Sequence, residues 1–252
     1  MNPRPRDIWT RLVIDPLADP LARALAPHPA VTPNRVTVFS GALGVTAAAC
    51  LATGRLRLGG VLFLLRFFAD CLDGKIARLQ GSSSARGALL DVGTDVVCVT
   101  ATYAGLGLWA VRTDRAGVGV AVGLLAAVAT YGWALAHRKH LAERAGRGDG
   151  GSDLIGRTDL PLLDPWLRVC RRLGMSPVPW AVEAETLVLG LLPLAGPRFA
   201  AAGLVVGLAF YVVATGTNLR RSWRIATALD VVPPRGASEP SASSAPSERR
   251  AP

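Results

Sequence analysis

The sequence predicts an all-α, polytopic membrane protein, with six transmembrane helices preceded by an interfacial amphipathic helix. Three observations carry that expectation. Half of the 252 residues are hydrophobic and the mean hydropathy is +0.34. Residues 36–54, 116–137 and 199–219 contain no Asp, Glu, Lys or Arg over 19, 22 and 21 residues, and about 20 suffice for a helix to cross the hydrocarbon core. The basic residues are also segregated. With six spans, 22 of the 28 Lys and Arg fall on the side of the termini, five fall opposite, and Arg66 lies inside the second span. Positive charge accumulates on the cytoplasmic side of membrane proteins. Both termini are therefore expected in the cytoplasm and the protein in the cell membrane.

Other classes are excluded by the same composition. The apolar runs are continuous and lack the alternation of roughly ten-residue barrel strands. The net charge of +10 shows no basic stripe interleaved with aromatics, so nucleic acid is not an expected partner. Cys50, Cys71, Cys98 and Cys170 form no CxxC pair or Cys/His cluster; they read as small buried hydrophobes, not zinc ligands. The first 30 residues hold several Pro and Arg and no apolar core with a cleavage site, so the first span is expected to direct insertion.

The elements follow in chain order. In residues 1–33, Ile8, Trp9, Leu12, Val13, Leu17, Leu21 and Leu25 recur at helical spacing among Arg4, Arg6, Arg11 and Arg23. That pattern suits a helix lying on the membrane surface, with Pro33 ending it. Residues 34–229 are expected to form the transmembrane domain, with spans at 36–52, 58–79, 87–111, 116–136, 178–195 and 199–219. A polar stretch at 137–177 separates the fourth span from the fifth. Trp9, Trp180 and Trp223 fall where an aromatic belt is expected. Residues 230–252, rich in Pro, Ser, Ala and charge, are expected to be a disordered tail.

The chemistry sits in the second and third spans. Asp70, Asp73, Asp91 and Asp95 lie at or near membrane depth, where each costs about 2.5–3.5 kcal/mol on insertion scales. Pairing with Arg66 or Arg78 would account for one or two of them, not for four. At about 100° per residue, Asp70 and Asp73 lie about 60° apart on one helix, and Asp91 and Asp95 about 40° and one turn apart on the next. Gly87, Asp91 and Asp95 form a row at four-residue steps. A short connection at 80–86 turns the two rows toward each other. Two divalent cations would balance four carboxylates, and Mg²⁺ is the hard, oxygen-seeking choice, with Mn²⁺ its natural substitute. Gly74, Ala77 and Gly87 allow a phosphate to approach the backbone, and Arg78 can fork onto phosphate oxygens. Metal, phosphate and small residues in one place point to substitution at phosphorus.

Residues 70–95 read DCLDGKIARLQGSSSARGALLDVGTD. This resembles, at every fixed position, the signature D-x2-D-G-x2-A-R-x8-G-x3-D-x3-D of the CDP-alcohol phosphotransferases (CDP-alcohol phosphatidyltransferases). The segment Thr32-Pro33-Asn34-Arg35-Val36-Thr37 looks like the family's approach to its first span. The resemblance covers about residues 8–220. It implies that Asp70, Asp73, Asp91 and Asp95 bind two divalent ions and that Asp95 is also the general base. It implies that Gly74, Ala77, Arg78 and Gly87 line the CDP site. It further implies a CDP-linked donor, with CDP-diacylglycerol the usual one, an alcohol acceptor, release of CMP, and a homodimer.

The acceptor is sought elsewhere in the chain. Arg138, Lys139, Arg144, Arg147, Arg157, Arg168, Arg171 and Arg172 in the 137–177 stretch would suit a phosphorylated acceptor, inositol phosphate or glycerol phosphate. Arg157, beside Thr158 and Asp159, is the first to test. The same residues also suit anionic lipid headgroups. Glu183 and Glu185 are candidates for contacts to the acceptor hydroxyl, whereas His137 and His140 read as interfacial. Competing readings are a CDP donor without diacylglycerol, an intramembrane prenyltransferase and a cation transporter. A prenyltransferase keeps its Asp clusters far apart in sequence, and a transporter has no need of Gly74, Ala77, Arg78 and Gly87.

Overall fold

The structure, a computed structural model, describes residues 7–146 and 164–231, and every element among them is helical. A π-helical turn, Thr10–Ile14, leads into α1 (Asp15–Leu25). Then come α2 (Pro33–Ala52), α3 (Leu56–Leu79), α4 (Ala85–Arg112) and α5 (Val118–Arg144). The second half holds α6 (Asp164–Leu173), α7 (Ala181–Glu185), a π-helical segment Thr186–Leu191, α8 (Leu192–Ala195) and α9 (Pro197–Val231). The helix ends follow local chemistry. Thr32 and Ser84 cap α2 and α4, their hydroxyls accepting the backbone N–H of Arg35 at 3.4 Å and of Gly87 at 3.0 Å. Gly81, at φ +62°, ends α3 and lets the Ser82 N–H donate to the Ala77 carbonyl at 3.0 Å.

Among the described residues α2, α4, α5 and α9 are long and apolar enough to cross a membrane. The second and fifth expected spans differ from these four. Helix α3 is 24 residues long but carries Arg66, Asp70, Asp73, Lys75 and Arg78. The helical run from Ala181 to Ala195 has only 15 residues, about 22 Å, against a core of about 30 Å. Pro33 does not close the first segment; it opens α2, where its missing N–H costs nothing. Helix α5 runs on through His137, Arg138 and His140 to Arg144. Helix α9 reaches Val231, and the rest of the expected tail lies outside the described residues.

Two observations mark a membrane protein. The exterior presents Val38, Phe39, Val45, Leu65, Val92 and Val96, whereas Arg66, Asp73 and Lys75 are buried. A water-soluble fold has the reverse distribution. The interior is also packed through small residues, as close helix approach without a hydrophobic driving force requires. A Cβ at Gly105 would lie 2.4 Å from the Ala48 carbonyl oxygen, and one at Gly60 2.6 Å from that of Gly190. The first pair brings α4 onto α2, the second brings the π-helical segment onto α3. Gly105→Val is expected to destabilise the fold by about 1–3 kcal/mol, as overpacked cores do. A melting midpoint in detergent equal to that of the parent protein would refute this close approach.

Helix α2 is the central strut, with α3 and α4 packed along it, while α5 packs on α9. The main core gathers Phe63, Tyr103, Leu106, Leu124, Val188, Leu204 and Tyr211. Ile14 of the π-helical turn and Ala18 and Ala22 of α1 pack on Phe67, Leu72 and Ile76 of α3. Lys75 fastens that contact, donating to Asp15 at 2.6 Å and to Asp19. The opposite side of this segment leaves Leu12, Leu17 and Leu21 exposed.

Candidate active site

Helices α3 and α4 touch each other little; each rests on α2. The two acidic rows therefore face across a gap rather than meeting in a direct helix pair. At the end of the gap lies a cleft of about 170 Å³. Its α3 wall is Asp73, Gly74, Ala77 and Arg78, and its α4 wall is Gly87, Ala88 and Asp91. Pro33, Asn34 and Thr37 of α2 and Ser82, Ser83 and Ser84 of the connection complete it. Six of the eight residues singled out by the sequence thus share one cleft; Asp70 and Asp95 do not line it.

The cleft suits an anion and a cation side by side. The N-termini of α2 and α4 both open onto it, and helix N-termini attract negative charge through unpaired N–H groups and the helix dipole. Arg78 adds an exposed guanidinium. Opposite charge comes from Asp73 and Asp91. Asp73 is buried, and the Thr37 hydroxyl donates to its Oδ2 at 2.5 Å, which fixes the carboxylate from α2. The glycines keep the walls bare. A Cβ at Gly74 would meet only Arg78 Nη1, at 3.7 Å, so packing does not demand glycine there; open space in the cleft does. At Gly87 a Cβ would come within 3.1 Å of Ser84 Oγ and 3.4 Å of Asn34 Oδ1. Glycine there also serves the helix cap.

Asp70 and Asp95 meet at Arg66. Its Nη2 donates to Asp70 Oδ1 at 3.2 Å, one turn on in α3, and to Asp95 Oδ1 across on α4. The ion-pair reading of these aspartates thus accounts for two of the four. Asp70 lies within electrostatic reach of the other three carboxylates, and Asp91 within reach of Asp95 and Asp73. Among the described residues, however, no three His, Cys, Asp or Glu side chains are close enough to share one metal ion. The donors that line the cleft nevertheless fit a hard dication by their chemistry: the carboxylates of Asp73 and Asp91 and the hydroxyls of Thr37, Ser82, Ser83 and Ser84, with no imidazole or thiolate among them.

The remaining candidates separate. Glu183 is occupied structurally: its Oε1 accepts the Ile8 N–H at 2.6 Å and its Oε2 the Trp180 N–H at 2.8 Å. It clips the N-terminal segment to α7 rather than facing the cleft. Glu185 accepts from the Tyr211 hydroxyl at 2.9 Å and lies within electrostatic reach of Asp70 and Asp95. His137 stacks on Trp133 at the exposed side of α5, and His140 is exposed as well. Arg138, Lys139 and Arg144 belong to the end of α5, and Arg168, Arg171 and Arg172 to α6. Arg147, Arg157, Thr158 and Asp159 lie outside the described residues. The sequence pattern alone gives no role to Thr37, Asn34 or residues 82–84. The threonine one turn after Pro33 was the available signal.

Residues 30–213 match the sequence model of the CDP-alcohol phosphatidyltransferase family. Over 187 residues the chain is 33% identical to the phosphatidylinositol phosphate synthase of Mycolicibacterium smegmatis, spanning 73% of this chain and 82% of that protein. A second match, to the phosphatidylinositol phosphate synthase of Mycobacteroides abscessus, is 41% identical over 99 residues, spanning 39% of this chain and only 43% of that protein. Among solved structures, that of Mycobacterium tuberculosis phosphatidylinositol phosphate synthase in complex with manganese and citrate is 25% identical with a TM-score of 0.54, covering 82% of this chain and 89% of that one.

Proposed function

Because this chain belongs to the CDP-alcohol phosphatidyltransferase family, an enzyme family of phospholipid synthesis, we propose that its cleft transfers the phosphatidyl group of CDP-diacylglycerol to inositol phosphate. CMP is the other product. One observation carries the reading: Asp73, Asp91, Arg78 and two helix N-termini converge on one cleft with bare glycine walls. The acceptor follows the relatives named above, with glycerol phosphate as the alternative to be tested. The membrane arrangement in this reading has six spans, α3 and the interrupted 181–195 run being the two less apolar ones. The π-helical turn and α1 lie at the interface, with Leu12, Leu17 and Leu21 toward lipid. Both termini and the cleft face the cytoplasm, supported by the basic bias of that side, and the protein is a homodimer, as the family resemblance implies.

The chain's own groups supply the steps. Arg78 and the N-termini of α2 and α4 bind the pyrophosphate of the donor, while Gly74, Ala77 and Gly87 let it lie against the backbone. Asp70, Asp73, Asp91 and Asp95 are the residues that would hold divalent cations, Mg²⁺ or Mn²⁺. When bound, these would neutralise charge on the phosphoryl oxygens and on departing CMP. Asp95, half-exposed, takes the proton of the acceptor hydroxyl as its oxygen bonds to the β-phosphorus. The bond from that phosphorus to the CMP oxygen breaks, and CMP carries away the electron pair. Thr37 keeps Asp73 turned into the cleft throughout.

CMP release from CDP-diacylglycerol by the purified protein tests this. Inositol phosphate, glycerol phosphate, inositol and serine are compared as acceptors, with Mg²⁺, Mn²⁺ or EDTA. Release is expected with inositol phosphate, abolished by EDTA and restored by excess Mg²⁺ or Mn²⁺. Release that EDTA leaves untouched would overturn the metal assignment, and a lipid product formed only with another alcohol would overturn the acceptor.

A further inference from the structure

We propose that Arg66 is a built-in counter-cation that holds Asp70 and Asp95 in the metal-free protein and competes with divalent metal for them. The inference rests on the metal-site reading above. Charge inside a span is costly and calls for a specific partner. Arg66 is wholly buried, yet only its Nη2 is hydrogen-bonded, to Asp70 and Asp95; Nε and Nη1 have no hydrogen-bond partner. A guanidinium carries five N–H donors. One that uses a single nitrogen is held by charge more than by hydrogen-bond complementarity.

The surroundings are built to admit it. A Cβ at Gly44 would come within 2.4 Å of Cys98 Sγ, so glycine there lets α4 close on α2 beside the Arg66 side chain, whose Cγ would lie at a contact distance of 3.4 Å. The Ser40 hydroxyl donates to the Arg66 carbonyl at 3.3 Å, holding the α3 backbone to α2 at that level. The Arg66–Asp95 pair is moreover an ion pair from α3 to α4, two helices that otherwise touch little. Without metal, four acidic side chains at membrane depth repel across the gap. One fixed cation bridging two of them offsets that repulsion and straps the gap. A dication that takes Asp70 and Asp95 must displace the guanidinium from both. Arg66 is thus a positioning residue that steadies Asp70 and Asp95 between α3 and α4 and weakens the site's grip on metal.

Mn²⁺ titration followed by electron paramagnetic resonance, on the full-length protein in detergent, tests this together with thermal melting. Arg66→Gln keeps hydrogen-bond donors and removes the charge; it is expected to bind Mn²⁺ about tenfold more tightly, as loss of one nearby positive charge allows. Arg66→Lys keeps the charge and is expected to stay within about threefold of the parent protein. Arg66→Met is expected to lower the metal-free melting midpoint and to enlarge the rise that Mn²⁺ produces. Should the methionine variant fail to fold, the glutamine and lysine pair still decides. Equal or weaker Mn²⁺ affinity in a cooperatively melting Arg66→Gln protein overturns the role of Arg66. Absence of Mn²⁺ binding in the parent protein, beyond that of Asp91→Asn, overturns the metal site itself and the inference with it.

Discussion

Asp91→Asn is expected to reduce CMP release from CDP-diacylglycerol by about 10³-fold or more while leaving the melting midpoint close to that of the parent protein. Loss of a metal-ligating charge from the centre of a phosphoryl-transfer site is the physical reason, and a 10³-fold loss corresponds to about 4 kcal/mol of transition-state stabilisation. Asp91 is the carboxylate that separates chemistry from folding best. It lines the cleft, is only half-buried, and has no side-chain hydrogen-bond or ion-pair partner among the described residues. Asp70 and Asp95 are poorer choices, because their removal strips Arg66 of partners, and a buried charge left unpaired costs about 3–5 kcal/mol in stability. Asp73 is anchored by Thr37, so its amide would disturb a buried hydrogen bond as well. CMP release within tenfold of the parent rate, from well-folded Asp91→Asn protein with Mg²⁺ present, would sink the assignment of Asp91 as a ligand.

What the sequence made legible was whatever is local to one helix. The charge-free runs located α2, α5 and α9, because insertion energetics depend on composition along a single segment. The four-residue steps from Gly87 through Asp91 to Asp95, and the placement of Asp73 beside Gly74, likewise needed only the helical period. The contact of Arg66 with Asp70 is of the same kind, one turn apart. Its contact with Asp95, 29 residues away, is not; it depends on how α3 and α4 both rest on α2. The support of Asp73 by Thr37, 36 residues away, was hidden for the same reason. Glu183 misled because a glutamate near a helix start reads alike whether it awaits a ligand or accepts backbone N–H groups, and here it accepts two. The π-helical segment at Thr186–Leu191 carries no compositional mark. It arises in the run whose Gly190 packs directly on α3, where a Cβ would lie 2.5 Å from Leu64 Cδ2.

Gly74→Leu is the second large effect, and it isolates the role of empty space. The cleft is small, about 170 Å³, and Gly74 forms part of its α3 wall. A Cβ there meets nothing closer than 3.7 Å, and that neighbour is the end of the exposed Arg78 side chain. Gly74 is helical, so leucine also removes the entropic penalty of glycine, a stabilising contribution of roughly 0.5–1 kcal/mol. The variant is therefore expected to melt no lower than the parent protein, yet to lose roughly 100-fold or more in kcat/KM for CDP-diacylglycerol, about 3 kcal/mol. Its isobutyl group occupies the volume in which the donor pyrophosphate would lie beside Arg78. Mn²⁺ affinity should be unchanged, because no carboxylate has moved. Gly87 gives no such separation: a Cβ at 3.1 Å from Ser84 Oγ disturbs the cap of α4, and loss of a cap costs about 1 kcal/mol by itself. If Gly74→Leu retained full kcat/KM for the CDP-linked donor, the donor would have to lie elsewhere, and the cleft between α2, α3 and α4 would lose its claim to be the nucleotide site.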